Sequence, residues 1–106
     1  MEKMKVLAEW SYTPAKIEKG YTRKTLYVNV GEPRMEIKDV SQDMIDKFTG
    51  GRGFDLRLLW DAVKDTTKWN DPENEIVISG GPLCGITQYP GAGKCYSAFI
   101  SPLSGQ

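Results

Sequence analysis

Two glycine-rich stretches carry the residues best suited to holding a ligand. The longer runs from Gly80 to Lys94 and includes Gly80, Gly81, Gly85, Gly91 and Gly93 ahead of its single cation, Lys94. Glycine lets backbone N–H groups come close to an anion, and a lysine adds a point charge. The spacing is not that of a phosphate-binding P-loop. That motif needs a glycine five residues before Gly93, where Gln88 stands, and a helix afterwards, where a strand is expected. The same residues also suit two tight turns between strands, and spacing alone favours the turns.

The shorter stretch is Gly50-Gly51-Arg52-Gly53. Arg52 offers a planar fork of donors for phosphate or carboxylate, and the N-terminus of a following helix would favour an anion. A plain corner between two helices, with Arg52 in solvent, is the competing reading, and composition favours it.

Other chemistry is poorly served. Cys84 and Cys95 are too few for a closed zinc site or an iron–sulfur cluster, and both are expected to be buried or half-buried structural thiols. The chain has no histidine, which removes Ser-His and Cys-His pairs. Asp43/Asp46 and Asp61/Asp65 fall at helical spacing and read as solvated faces. Trp10, Trp60, Trp69 and Tyr96 read as core or rim, since no basic residues interleave with them as a nucleic-acid groove requires.

The elements that must position these stretches follow from periodicity. Residues 1–20 read as a leader extension. Lys24 to Val30 alternates, with Leu26, Val28 and Val30 on one face, and Arg34 to Lys38 alternates after Gly31-Glu32-Pro33, so a hairpin is expected. Ser41 is a good N-cap for a short helix carrying Met44, Ile45 and Phe48, stopped at Thr49-Gly50-Gly51. A second helix is expected from about Gly53 to Lys64, with Phe54, Leu58, Leu59, Ala62 and Val63 on its apolar face and Asp55, Arg57, Asp61 and Lys64 mainly elsewhere. Asp65 to Glu73 is a loop, from which Trp69 is expected to pack back on the core. Strands are expected over Glu75–Ser79 and Lys94–Ile100. This order predicts an α+β fold with a mainly antiparallel or mixed sheet and two short helices.

At 106 residues, with 14 basic and 14 acidic side chains, the chain suits one small globular unit without the basic excess that would point to nucleic acid or an anionic membrane. Apolar runs are too short to span a bilayer, and the first residues lack a signal-peptide core, so a cytoplasmic location is expected. Ser101-Pro102-Leu103-Ser104-Gly105-Gln106 is a turn with nothing after it, which leads us to expect a piece of a longer protein.

Three segments together resemble a known family. They are Leu26-Tyr27-Val28-Asn29-Val30, the corner Phe48-Thr49-Gly50-Gly51-Arg52-Gly53, and the run from Pro72-Glu73-Asn74 through Gly80-Gly81-Pro82-Leu83-Cys84-Gly85 to Ser101-Pro102-Leu103-Ser104-Gly105. In this order they are similar to the opening of the aldehyde:ferredoxin oxidoreductases, over residues 21–106. The resemblance implies the N-terminal part of the domain that cradles a tungsten (or molybdenum) bis-pterin cofactor with a bridging magnesium. The enzyme would oxidise aldehydes to carboxylic acids. It would pass electrons to ferredoxin or another carrier, and its 4Fe-4S cluster would be held by cysteines outside this chain. The resemblance places Lys94 where the family has a pterin-contacting arginine, beside the close-approach backbone of Gly91, Ala92 and Gly93, and Arg52 joins them as a cofactor-binding candidate. Lysine keeps the charge and loses the fork. Cys84 replaces a threonine of the family pattern. No catalytic residue or metal ligand is expected in this chain, which alone would be inactive. Expected partners are the remaining domains of the same enzyme, an electron carrier, and a second copy or partner subunits, with neither nucleic acid nor membrane. The alternative is a stand-alone small module that kept the fold and binds an anionic ligand or a partner subunit.

Overall fold

A computed structural model describes residues 3–105 and divides the chain into two compact units, one ending at Ser41 and the other beginning at Gln42.

In the first unit, Glu18 and Tyr21 close a tight turn by exchanging backbone hydrogen bonds of 2.9 Å each, with Lys19 and Gly20 at positive φ. Strand β1 (Lys24–Asn29) then pairs antiparallel with β2 (Arg34–Asp39). The hairpin turn is set by Asn29, whose side-chain oxygen accepts the N–H groups of Gly31 at 3.0 Å and Glu32 at 3.1 Å. Register places Leu26 opposite Ile37 and Val28 opposite Met35, as the alternation predicts. On the other face the Lys38 ammonium lies 4.1 Å from the centre of the Tyr27 ring, a diagonal cation–π contact. Neither face is enclosed: on the apolar face Leu26 and Val28 are each 57% exposed and Met35 is half-buried, and on the other Thr25 and Tyr27 are half-buried while Glu36 and Lys38 are exposed. Lys24 and Asp39 pair at the hairpin's open end, in solvent, where such a pair adds little.

The second unit holds α1 (Gln42–Phe48), α2 (Arg52–Ala62), β3 (Val77–Ser79) and β4 (Tyr96–Ala98). Helix α1 buries Ile45 and is laced outside by Lys47–Asp43 at 3.1 Å. It ends where Thr49, Gly50 and Gly51 all take positive φ. Helix α2 packs on α1 and on both strands, with Phe54, Leu58, Leu59, Ala62 and Val63 half-buried and Arg57 paired to Asp61 at 3.0 Å.

The strands form two separate two-stranded antiparallel sheets, β1–β2 and β3–β4. Both strands of the second sheet are shorter than their sequence runs. Asn74 explains part of this: its side chain accepts the Ile100 N–H at 2.7 Å and donates to the Ile100 carbonyl at 3.1 Å. A side-chain amide thus does at that end what a strand partner would do. The Asn74 amide also donates to the Trp69 carbonyl at 2.8 Å, so one residue ties the 65–73 loop to the end of the second sheet. The Trp69 ring itself is 52% exposed and does not join the core. Trp60 and Tyr96 are exposed as well.

Replacing Asn74 with alanine strands the two Ile100 backbone groups. We expect a loss of about 1–3 kcal/mol, read by chemical denaturation of the intact polypeptide, because partly buried polar groups lose their partners.

Candidate functional site

Tertiary structure brings the two glycine-rich stretches into contact. The Gly51 N–H donates to the Gly80 carbonyl at 3.2 Å, and the Ser79 hydroxyl lies 2.9 Å from the Gly51 carbonyl. A methyl group on Gly50 would come within 3.0 Å of Pro82 Cδ, and one on Gly51 within 3.4 Å of the Gly81 nitrogen. A methyl on Gly53 would sit 2.2 Å from the Phe48 carbonyl oxygen. The glycines of the first stretch therefore serve the protein's own backbone, letting the α1–α2 corner dock on the Gly80-Gly81-Pro82 turn. Arg52 opens α2 on the outside of this corner and is exposed.

The loop after Pro82 folds on itself. The Cys84 N–H donates to the Gly81 carbonyl at 3.0 Å, Gly85 N–H to the Ala92 carbonyl at 2.5 Å, and Ala92 N–H to the Tyr89 carbonyl at 3.1 Å. The Cys84 thiol lies 3.1 Å from the Lys94 carbonyl. A methyl on Gly91, whose φ is +87°, would meet the end of the Lys94 side chain at 3.4 Å. Lys94 thus lies back over its own loop, with Gly91, Ala92 and Gly93 beside it. Around Gly81, Gly85 and Gly93 nothing lies within 4 Å of where a side chain would begin. Gly85 and Gly93 are also exposed, whereas Gly81 is half-buried against the corner, and the Gly81 carbonyl and Gly85 N–H are already hydrogen-bonded within the loop. Both cysteines are exposed, which corrects the expectation of buried structural thiols. Among the described residues no three metal-ligating side chains cluster.

Asp55 is where the sequence expectation fails most clearly. Set outside the apolar face of α2, it is in fact the most enclosed side chain described, 1% exposed. Asp55 Oδ1 lies 2.5 Å from the Ser79 hydroxyl, and Oδ2 has no partner. Burial pushes the Asp55 carboxyl above the ordinary aspartate range, and the Ser79 contact only partly opposes this. The signal was present in the spacing: Asp55, Leu58, Leu59 and Ala62 stand at i, i+3, i+4 and i+7, one helical stripe.

Comparison with known proteins agrees with this architecture of two helices and two small antiparallel sheets. The family description "Aldehyde ferredoxin oxidoreductase, N-terminal domain" matches residues 25–106, and the chain belongs to that family. It is 31% identical to the tungsten-containing aldehyde ferredoxin oxidoreductase of Pyrococcus furiosus over 78 residues, covering 74% of this chain and 13% of the relative. It is 35% identical to the aliphatic sulfonate oxidoreductase, WOR-like subunit, of the same organism over 74 residues, covering 67% of this chain and 12% of that one. The tungsten-containing aldehyde ferredoxin oxidoreductase of Pyrococcus horikoshii is 30% identical over 86 residues, covering 81% of this chain and 14% of the relative. The chain thus matches only a small part of the length of each. No solved structure matches it. No helix among the described residues is long and apolar enough to cross a membrane.

The two kinds of glycine separate by mutation. Gly53→Ala forces a methyl into the Phe48 carbonyl and should cost roughly 1–3 kcal/mol of stability, the scale of overpacking. Gly93→Ala meets no protein atom and should change stability by about 0.5 kcal/mol or less. Thermal unfolding of the two variants checks the contrast.

Proposed function

We propose that this chain is the N-terminal part of a tungstopterin (or molybdopterin) oxidoreductase. In this reading residues 21–106 help cradle the bis-pterin cofactor, and residues 1–20 are an extension outside the cradle. The family match over residues 25–106 carries the reading. The geometry adds a fit: an exposed cation, Lys94, follows Gly93, which is itself exposed with room around it for a side chain. Polar pterin edges and phosphates are the kind of ligand that open backbone and a lysine can meet.

The cofactor-facing residues are Lys94 with Gly91, Ala92 and Gly93, and Arg52 on the neighbouring corner. When bound, the metal–dithiolene group supplies the two-electron chemistry that converts an aldehyde to a carboxylic acid, with ferredoxin or a similar carrier as electron acceptor. Lys94 offers one ammonium, which contacts phosphate or a ring edge as a point charge, while Arg52 can reach two oxygens at once. The bridging magnesium, the 4Fe-4S cluster and the substrate pocket belong to the rest of the enzyme. This piece alone is inactive, and its partners are those remaining domains, the electron carrier, and a second copy or another subunit, in the cytoplasm. The tungsten named for the relatives supports tungsten as the metal.

Elemental mass spectrometry on the intact protein, purified without oxygen from its source, tests the reading. Stoichiometric tungsten or molybdenum is expected, and metal-free intact protein would refute it. In the same protein Lys94→Ala should lower metal and pterin content, whereas Lys94→Arg should retain both. Unchanged content in Lys94→Ala would leave Lys94 outside the cofactor site.

A further inference from the structure

The partly buried contact between α2 and β3 poses a problem of proton counting. The Ser79 hydroxyl oxygen lies 2.9 Å from the Gly51 carbonyl oxygen and 2.5 Å from Asp55 Oδ1. A serine hydroxyl has a single proton to donate, and a carbonyl has none. Were Asp55 ionised, Ser79 would face two acceptors with one proton. One of the two close oxygen pairs would then have no hydrogen between its atoms. A carboxylate would also leave Oδ2 charged, enclosed and unpartnered, the costliest way to bury an acid.

We infer that Asp55 is held as a neutral carboxylic acid, donating through Oδ1 to Ser79, which donates in turn to the Gly51 carbonyl. Each proton then lies between a donor and one acceptor. The Gly51 carbonyl also accepts the Asp55 N–H at 3.0 Å, so the chain closes on the first turn of α2. No neighbouring charge supplies an alternative. Strand β3 has no titratable side chain, β4 has only Tyr96, and α1 carries Asp43, Asp46 and Lys47. On α2 itself Arg57 is engaged by Asp61, as Lys47 on α1 is by Asp43, while Arg52 is exposed. The upward displacement of the Asp55 carboxyl by burial agrees in direction.

The consequence concerns the corner. Gly51 is held by its N–H to Gly80 and by its carbonyl through Ser79, and Arg52 is the next residue. Asp55 is therefore a positioning residue for the backbone that presents Arg52. That last step rests on the proposed role of Arg52, whereas the protonation state does not.

The test uses the intact polypeptide and three variants, and none of its readouts involves the cofactor. Isotope-edited infrared spectroscopy at neutral pH should find a carboxylic-acid C=O band that disappears in Asp55→Asn. Hydrogen exchange should find the Gly51 amide as protected in Asp55→Asn as in the parent, because a carboxamide also donates to Ser79. Ser79→Ala should expose that amide to roughly tenfold faster exchange, the effect of losing one hydrogen bond, and Ser79→Thr should restore protection. The raised carboxyl also has a sign. Its stabilising contribution is complete below the unfolded aspartate range and is lost as pH rises through the higher folded value, so Asp55→Asn should flatten that decline. An ionised Asp55 signal at neutral pH, or unchanged Gly51 exchange in Ser79→Ala, would overturn the inference. A protein without metal would overturn only the proposed function.

Discussion

The arrangement of the second unit depends on how closely two backbones approach each other, at the α1–α2 corner and the turn after β3. Only glycine permits that approach at Gly50 and Gly51, and only glycine at position 53 clears the Phe48 carbonyl within the corner itself. Closeness brings polar backbone groups out of water, and each then needs a partner. Gly80 supplies one for the Gly51 N–H, and Ser79 supplies one for its carbonyl. Asp55 completes this set from the helix side. A buried acid is an expensive way to hold a serine in place, and it is tolerable here because the acid can keep its proton.

Little else in the chain is enclosed. Large apolar side chains such as Leu26, Val28, Ile78 and Leu83 face outward, and Ile45 is the one hydrophobic side chain among the described residues that counts as core. Exposed apolar surface on this scale is what other protein normally covers. It accords with relatives of which this chain matches roughly an eighth.

The two glycine stretches looked alike as sequence and differ in space. At the corner, a side chain at each glycine would collide with or crowd the protein's own atoms. In the later loop, a side chain at Gly81, Gly85 or Gly93 would meet nothing, although the Gly81 backbone itself lies against the corner. Room of that kind separates the tightly docked corner from the looser loop, a difference that composition does not show. Lys94 lies in the same loop and carries a point charge without the bidentate geometry an arginine would have.

The hairpin, both helices, the α+β class and the family resemblance were legible without coordinates. They depend on local chemistry: alternation at Lys24–Asn29 and Arg34–Asp39, the apolar positions of α1, the glycines that stop it, and motifs recurring in order. The short strands β3 and β4 were over-read, since nothing local says that Asn74 replaces the ladder at Ile100. Asp55 was misplaced because an acid in a first helical turn ordinarily faces water, even though its spacing put it on the buried stripe. Local chemistry along the chain thus fixes element types and the candidate loops. Packing settles which glycines are crowded, that Cys84 and Cys95 stay exposed, and that Asp55 needs its proton. Those outcomes depend on which distant backbone comes within hydrogen-bonding reach, a property of packing that no local spacing encodes.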